Sequence, residues 1–266
     1  MYIDSHSHWS DPRIKDSDIL DLLTKSKDKN ITSFMLGGID PDDWHRQIEI
    51  NLKFEKTFYP CFGLHPYFIS KSNYEDCENA LDELAKLVHQ SLGLGETGLD
   101  FREKILVTET SSSEETAARQ IEFFENQIQL AKVYHKPLVL HIVQAHEKSL
   151  QVFDIWGAPQ SQGMVHAFNS SFEIAKKYID LGFYISIGGA VTFEKNKKLH
   201  DTIQKLPLES LLLESDSPDQ APKDWQGLND SSSLWQIAEV VGKLKNISTE
   251  SVLKISTDNF KKLFSL

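Results

Sequence analysis

Residues 1–9 read MYIDSHSHW, an apolar start followed by Asp4, His6 and His8 at two-residue intervals. In a β-strand, side chains at i, i+2 and i+4 share one face. A strand here therefore projects a carboxylate and two imidazoles together. Two adjacent imidazoles form half of a site for a divalent metal, and they suit a polar strand edge as well. The same stretch bears on the fold. A doubly wound sheet that binds a dinucleotide carries a Gly-rich turn after its first strand. Here DSHSHWSD (4–11) stands in that place, which favours a barrel.

Short apolar runs recur along the chain at 2–6, 31–37, 57–64, 91–96, 137–142, 163–168, 183–189 and 210–216. Between them lie amphipathic segments such as IEFFENQIQLAKVY and FEIAKKYIDLG, the latter closed by Gly182 as a helix cap. Strands alternating with helices imply parallel pairing through βα units. Eight such units predict a somewhat irregular (β/α)8 barrel of the TIM type, with 1–266 as a single domain. The open doubly wound sheet is the structural alternative. Neither a linker nor an internal repeat interrupts the alternation. The Ser-rich TETSSSEET at 108–116 is expected to be an exposed insertion after the fourth strand. DSSS at 230–233 reads as a loop before the last helix.

The 266 residues are 40% hydrophobic and 25% charged, ordinary for a globular chain of barrel size. Cys61 and Cys77 provide neither a disulfide framework nor zinc-finger spacing. No basic-then-apolar leader and no apolar run of membrane-spanning length is seen. The expected location is the cytoplasm, with no membrane and no protein partner. A formal net charge of −11, with only Arg13, Arg46, Arg102 and Arg119 as arginines, argues against broad binding of duplex nucleic acid. It leaves room for local engagement of a strand end, with bound cations neutralising phosphates.

The chemistry of such a barrel sits at the C-terminal ends of its strands. His6 and His8 end the first strand, His65 follows the third in GLHPY, and Glu96 ends the fourth in GETGLD, with Asp100 just beyond. His141 ends the fifth strand and His166 the sixth, while Glu214 and Asp216 close the eighth in LLLESDSP. Six of these, His6, His8, Glu96, His141, His166 and Asp216, form one constellation. Imidazoles and carboxylates in this mixture suit zinc, manganese or a similar divalent ion. A carboxylate in the middle of the set can bridge two ions. Ions about 3.5–4 Å apart can activate a water and clamp both oxygens of an in-line displacement. His45, His89, His135 and His200 lack strand-end placement and read as surface or helix-end residues. His146, five residues past His141, lies where it can reach a substrate. Cys61 falls within a β-run and reads as an inert core residue.

Together, His6-x-His8, GLHP (63–66), GETGLDF (95–101), PLVLH (137–141), HAF (166–168), SIGG (186–189) and ESDSP (214–218) resemble the motifs of TatD-type metal-dependent hydrolases, within the amidohydrolase superfamily. The resemblance extends from the first strand to NFKKLF near the C-terminus, so it covers essentially the whole chain. It implies an irregular (β/α)8 barrel holding two divalent metal ions (Zn, Mn or Mg). It also implies hydrolysis of phosphodiesters, as a deoxyribonuclease acting on DNA ends. On this resemblance His6 and His8 would bind the first metal with Asp216, Glu96 would bridge, and His141 and His166 would bind the second. His65 would contact a substrate phosphate, Glu214 would orient the water or a ligand, and Asp216 would double as general base.

Three departures touch the substrate side. Val143 stands where the family places an Arg, which removes a bidentate phosphate clamp that Arg102 would replace in part. HAFNSS lacks the Gly that usually continues the strand-six motif, and NDSSS (229–233) replaces an Asn-x-Pro element. Hydrolysis of an ester or amide, including an aminoacyl ester on tRNA, is the alternative activity on this fold. A non-catalytic barrel predicts loss of a ligand, and none of the six positions has lost one.

Overall fold

The computed structural model describes residues 1–108 and 111–266. Each apolar run becomes a strand: β1 (Tyr2–Ser7), β2 (Ile31–Leu36), β3 (Phe58–Tyr59) with β4 (Cys61–Phe62), β5 (Gly93–Asp100), β6 (Leu138–Val143), β7 (Gly163–Val165), β8 (Phe183–Ile187) and β9 (Leu211–Leu213). Neighbouring strands are parallel throughout. The third run is split because Pro60 has no N–H to donate. β3 pairs with β2 and β4 with β5, and the Pro60 carbonyl accepts from Leu92 N–H at 2.7 Å. The ladders thus form a three-stranded and a six-stranded part of one barrel. At the seam between β9 and β1, Asp216 N–H donates to the His6 carbonyl (3.0 Å) and His8 N–H to the Ser217 carbonyl (2.7 Å).

Helices α1 (Asp16–Asp28) and α2 (Pro41–Lys53) follow β1 and β2. The pair α3 (Pro66–Lys71) and α4 (Tyr74–Leu87) follows β4, and α5 (Glu103–Leu106) and α6 (Ser113–Val133) follow β5. Then come α7 (His146–Trp156), α8 (Phe172–Asp180), α9 (Lys197–Lys205), α10 (Leu234–Lys245) and α11 (Thr249–Phe264). Gly182 lies just past α8 with φ +91°, a backbone suited to the end of a helix. The Ser-rich stretch is in part a helix start rather than an insertion. Glu109 and Thr110 lie outside the described residues, but Ser112 and Glu115 form a capping box that opens α6. The S-x-x-E spacing carried that signal. DSSS forms a 3-10 turn, Ser231–Ser233, capped by Asp230, and two helices follow it rather than one. No helix among the described residues is long and apolar enough to cross a membrane.

Ile3, Met35, Cys61, Val139, Met164, Tyr184 and Leu212, each from a different strand, pack together inside the barrel over Phe260, Leu263 and Phe264 of α11. Alternate residues such as Phe34, Leu140, Ile185 and Leu213 face the helices. Full burial of each large apolar side chain stabilises by roughly 1.5–3 kcal/mol. Continuing the inward set by twos reaches His65 from Cys61, His141 from Val139, His166 from Met164, and Glu214 then Asp216 from Leu212.

β1 and β5 break that period. Asp4 pairs with Phe34 and Ser7 with Leu36, so β1 spends one residue more than β2 there. Leu94 pairs with Leu138 and Thr97 with Leu140, a second extra residue, in β5. Such bulges turn the side chains that follow to the other face. Past the first, His6 and His8 point inward; past the second, Glu96 does. Gly95 makes the second bulge possible, since a Cβ there would overlap the Val139 carbonyl. The expectation that Asp4 shares a face with His6 and His8 is corrected by the same device. Asp4 turns across the seam instead and accepts from Ser215 N–H (2.9 Å) and Ser215 Oγ–H (2.6 Å).

Where ladders lapse, buried glutamines satisfy the backbone. Gln47 accepts from Cys61 N–H and donates to the Gly37 carbonyl, both at 3.0 Å. Gln120 accepts from Asp100 N–H (2.9 Å) and donates to its carbonyl (3.2 Å). Gln127 serves Leu64 in the same way, at 2.8 and 3.1 Å. Replacing Gln127 by Leu keeps the volume but strands a buried N–H and a buried C=O. Each stranded group costs about 1–3 kcal/mol, so Gln127→Leu is expected to destabilise by about 2–4 kcal/mol. That corresponds to a drop in Tm of roughly 5–10 °C, to be read from a thermal melt followed by circular dichroism. A Tm unchanged within error would refute this role.

Candidate metal centre

The strand ends deliver their polar side chains to one cluster at the top of the barrel. His6, Glu96, His166, Glu214 and Asp216 are buried there, and His8, His65 and His141 are partly so. His6 Nε2 and His8 Nε2 lie 3.3 Å apart. Both face Glu96 Oε1, at 3.3 and 3.2 Å, and Asp216 Oδ1, at 3.6 and 3.2 Å. The other oxygen, Glu96 Oε2, faces His166 Nε2 at 2.7 Å, His141 Nδ1 at 3.2 Å and His65 Nε2 at 3.8 Å. All six residues of the predicted constellation therefore meet, with His65 at their margin.

This donor set suits cations. A neutral imidazole offers one lone pair and one N–H, and a carboxylate only accepts. Ligand atoms of His6, His8 and Asp216 lie within 4.8 Å of one another, as do those of His6, Glu96 and His166, and of His65, Glu96 and His141. So many acceptors converging away from water need positive charge between them.

Electrostatics tell the same story. Burial pushes the Glu96 carboxyl up, but His166 and His6 hold it well below the usual carboxylate range. Burial opposes the charge on His8, yet Asp216 and Glu96 raise its pKa well above the ordinary imidazole value. His166 is likewise raised against its burial, by Glu96 and Glu214. Protons thus serve as counter-charge in the cluster, and a bound cation must compete with them. His65 differs: burial, reinforced by the neighbouring His141, pushes it down to about 3, so it is neutral.

Behind the cluster stand further partners: Glu214, expected from the sequence to orient the water or a ligand, and Asp100 and Gln220, whose roles were missed from the sequence. Glu214 Oε1 lies 3.5 Å from His166 Nδ1 and accepts from Ala167 N–H at 2.5 Å. Asp100 Oδ2 lies 3.5 Å from His141 Nε2, and Gln120 grips the Asp100 backbone. Gln220 donates to Asp216 Oδ2. Asp100 sat in the quoted GETGLD; Gln220 stands in no motif and carried no signal. Asp216 itself has φ +52°, a left-handed backbone that aspartate tolerates better than most residues.

The three expected substrate contacts fall in different places. His65 is at the cluster margin. Arg102 reaches the rim but is engaged by Asp100, its Nε donating at 2.8 and 2.9 Å. His146 points elsewhere, with Nδ1 3.3 Å from the Tyr178 hydroxyl and its ring against Phe168. Of the other histidines, His89 and His135 are exposed, His45 pairs with Glu83 at 3.0 Å, and His200 bonds the Val191 carbonyl at 2.7 Å.

Comparison with known proteins places this geometry. The family described as "TatD related DNase" matches residues 3–265. The uncharacterized metal-dependent hydrolase BU355 of Buchnera aphidicola is 32% identical, over 99% of each chain. The uncharacterized metal-dependent hydrolase YabD of Bacillus subtilis is 29% identical, over 100% of each. Among solved structures, the TatD homolog YjjV of Escherichia coli superposes with a TM-score of 0.86 at 26% identity, covering 100% of this chain and 98% of that one. A TatD-family hydrolase from Entamoeba histolytica shares the fold, with a TM-score of 0.82 at 18% identity and coverage of 98% and 97%.

The packing of His146 sets a pH dependence. Burial, with Lys198 nearby, pushes its pKa down to about 4. An unfolded imidazole titrates near 6.5, so between about 6.5 and 4 the unfolded chain binds the extra proton and stability falls as pH falls. The loss attributable to this group is about 2–3 kcal/mol. His146→Phe is expected to remove that part of the acid-side loss in urea unfolding compared at pH 7.5 and 4.5. A variant as acid-sensitive as the wild type would refute the assignment.

Proposed function

The chain belongs to the TatD related DNase family and is a metal-dependent hydrolase, and from that premise we propose that it hydrolyses phosphodiesters at DNA strand ends with a pair of divalent cations. The observation that carries this reading is the division of Glu96. Its Oε1 serves His6 and His8 at 3.3 and 3.2 Å, while its Oε2 serves His166 and His141 at 2.7 and 3.2 Å. A carboxylate so divided suits a bridge. In this assignment His6, His8 and Asp216 would hold one ion, His141 and His166 would hold the other, and Glu96 would serve both. When bound, such a pair supplies Lewis acidity toward a phosphoryl oxygen and makes a water easier to deprotonate.

The chain's own groups divide the remaining work. Asp216 is the general base, its carboxylate oriented by Gln220. Glu214 Oε1, 3.5 Å from His166 Nδ1, would accept its proton and so leave Nε2 free to ligate. Asp100 does the same for His141 from the Nε2 side, which leaves Nδ1 facing Glu96. His65 Nδ1 accepts from Tyr67 N–H at 2.9 Å, so the neutral ring carries its proton on Nε2. That Nε2 faces His141 Nδ1 at 3.2 Å and would turn to a substrate phosphate when His141 ligates. Arg102 adds positive field at the rim in place of the clamp lost with Val143. Cys61 and Cys77 are unpaired and buried, in keeping with a reducing cytoplasm.

After chelation, readdition of Mg²⁺, Mn²⁺ or Zn²⁺ is expected to restore stepwise shortening of 3′-labelled single-stranded DNA. Asp216→Asn is expected to lower that rate by about 100-fold or more, with circular dichroism reporting an intact fold. DNA left whole in every metal, while a small ester is cleaved, would overturn the phosphodiester assignment and keep the hydrolase.

A further inference from the structure

Beside the cluster, the turn after β8 and the loop after β9 enclose a cleft of about 560 Å³. Asn169, Phe193, Lys195, Asn196 and Gln220 line it. Because Gln220 also donates to Asp216, the cleft and the cluster share a wall. The volume falls within the roughly 300–1,000 Å³ of small-molecule sites. Phe193 is the one phenylalanine of fifteen that stands exposed, at 37%. Its ring forgoes burial on the wall of the cleft, where a ligand would cover it.

Positive charge gathers at this rim. In EKNKK (194–198), Lys195, Lys197 and Lys198 are all exposed on a protein of net charge −11. Glu194 is engaged by Lys223 at 3.1 Å, whereas Lys195 forms no ion pair among the described residues. The floor is rigid: Asn196 Nδ2 donates to Asn169 Oδ1 (3.0 Å) and to the Ala190 carbonyl (3.2 Å).

We infer that this cleft is a nucleotide subsite, in which a base stacks on Phe193 while Lys195 faces the adjacent phosphate. An aliphatic ester or amide would leave both the ring and the ammonium unused. A planar base beside an anionic phosphate uses both, and base–aromatic stacking is tolerant of sequence. The inference rests on the hydrolase reading for the identity of the neighbouring reaction centre, but its own content is recognition of the base.

The test is calorimetric binding of two probes to the metal-loaded protein: deoxyadenosine 5′-monophosphate and deoxyribose 5-phosphate, which lacks the base. Wild type is expected to bind the nucleotide about 10-fold more tightly than the sugar phosphate. Phe193→Ala should bring the two within about 2-fold, and Phe193→Trp should keep the difference. Lys195→Ala should weaken both probes by the same factor, and less so as salt rises. Equal affinities in the wild type, or a ratio unaltered by Phe193→Ala, would overturn the subsite. No turnover is read, so the outcomes separate. A preserved ratio with DNA left uncut counts against phosphodiester hydrolysis and sustains the subsite. Cut DNA with a ratio of one removes the subsite alone.

Discussion

The seam between the last strand and the first carries both the closure of the barrel and half of the ligand cluster. Two backbone hydrogen bonds cross it, Asp216 N–H to the His6 carbonyl and His8 N–H to the Ser217 carbonyl. The residues that make them are those whose side chains converge above. Closing the barrel and bringing His6, His8 and Asp216 together therefore rest on the same backbone contacts. Asp4 strengthens the same joint from behind. Burial pushes its carboxyl up to about 7, and the donors on Ser215 and Ser231 oppose that shift. A buried carboxylic group so placed is tolerated because its oxygens are satisfied.

From this seam the irregularities of the barrel acquire a common meaning. A regular period of two would alternate small, apolar and polar groups identically along every strand. The bulges in β1 and β5 change that parity at the level where the apolar plug ends and the ligands begin. Below them the interior is filled by residues such as Ile3, Met35 and Val139; above them it is imidazole and carboxylate. At the β5 bulge the Gly38 backbone restores the pairing, donating to the Gly95 carbonyl (3.2 Å) and accepting from Glu96 N–H (2.8 Å). Gln47, Gln120 and Gln127 serve backbone groups left unpaired at the strand ends. Because Gln120 grips Asp100 and Asp100 faces His141, a helix on the outside sets the orientation of a side chain at the centre.

Charge is organised on the same principle of local compensation. The acidic chain as a whole repels polyanions, yet its buried carboxylates face imidazoles, a pairing that cations complete. Beside the cleft, Lys195, Lys197 and Lys198 are all exposed. They thus put positive charge beside the mouth of the barrel, where an anion would be attracted.

The strand order, the parallel βα architecture and the six residues of the cluster were all legible in the sequence. They are encoded by short-range pattern, namely apolar runs, helical periodicity and polar residues placed where strands end. The capping box at Ser112 was legible too, although its Ser-rich composition read as an insertion. What sequence periodicity could not convey was direction. A bulge is a mismatch between two strands that are far apart in the chain, so nothing within β1 announces that Asp4 parts company with His6 and His8. Gln220 and Gln120 were invisible for the same reason, as polar residues in no motif whose partners lie across space. The sequence alone determined which groups gather at the top of the barrel; pairing between strands decided which face each group takes, because register is a property of two strands and never of one.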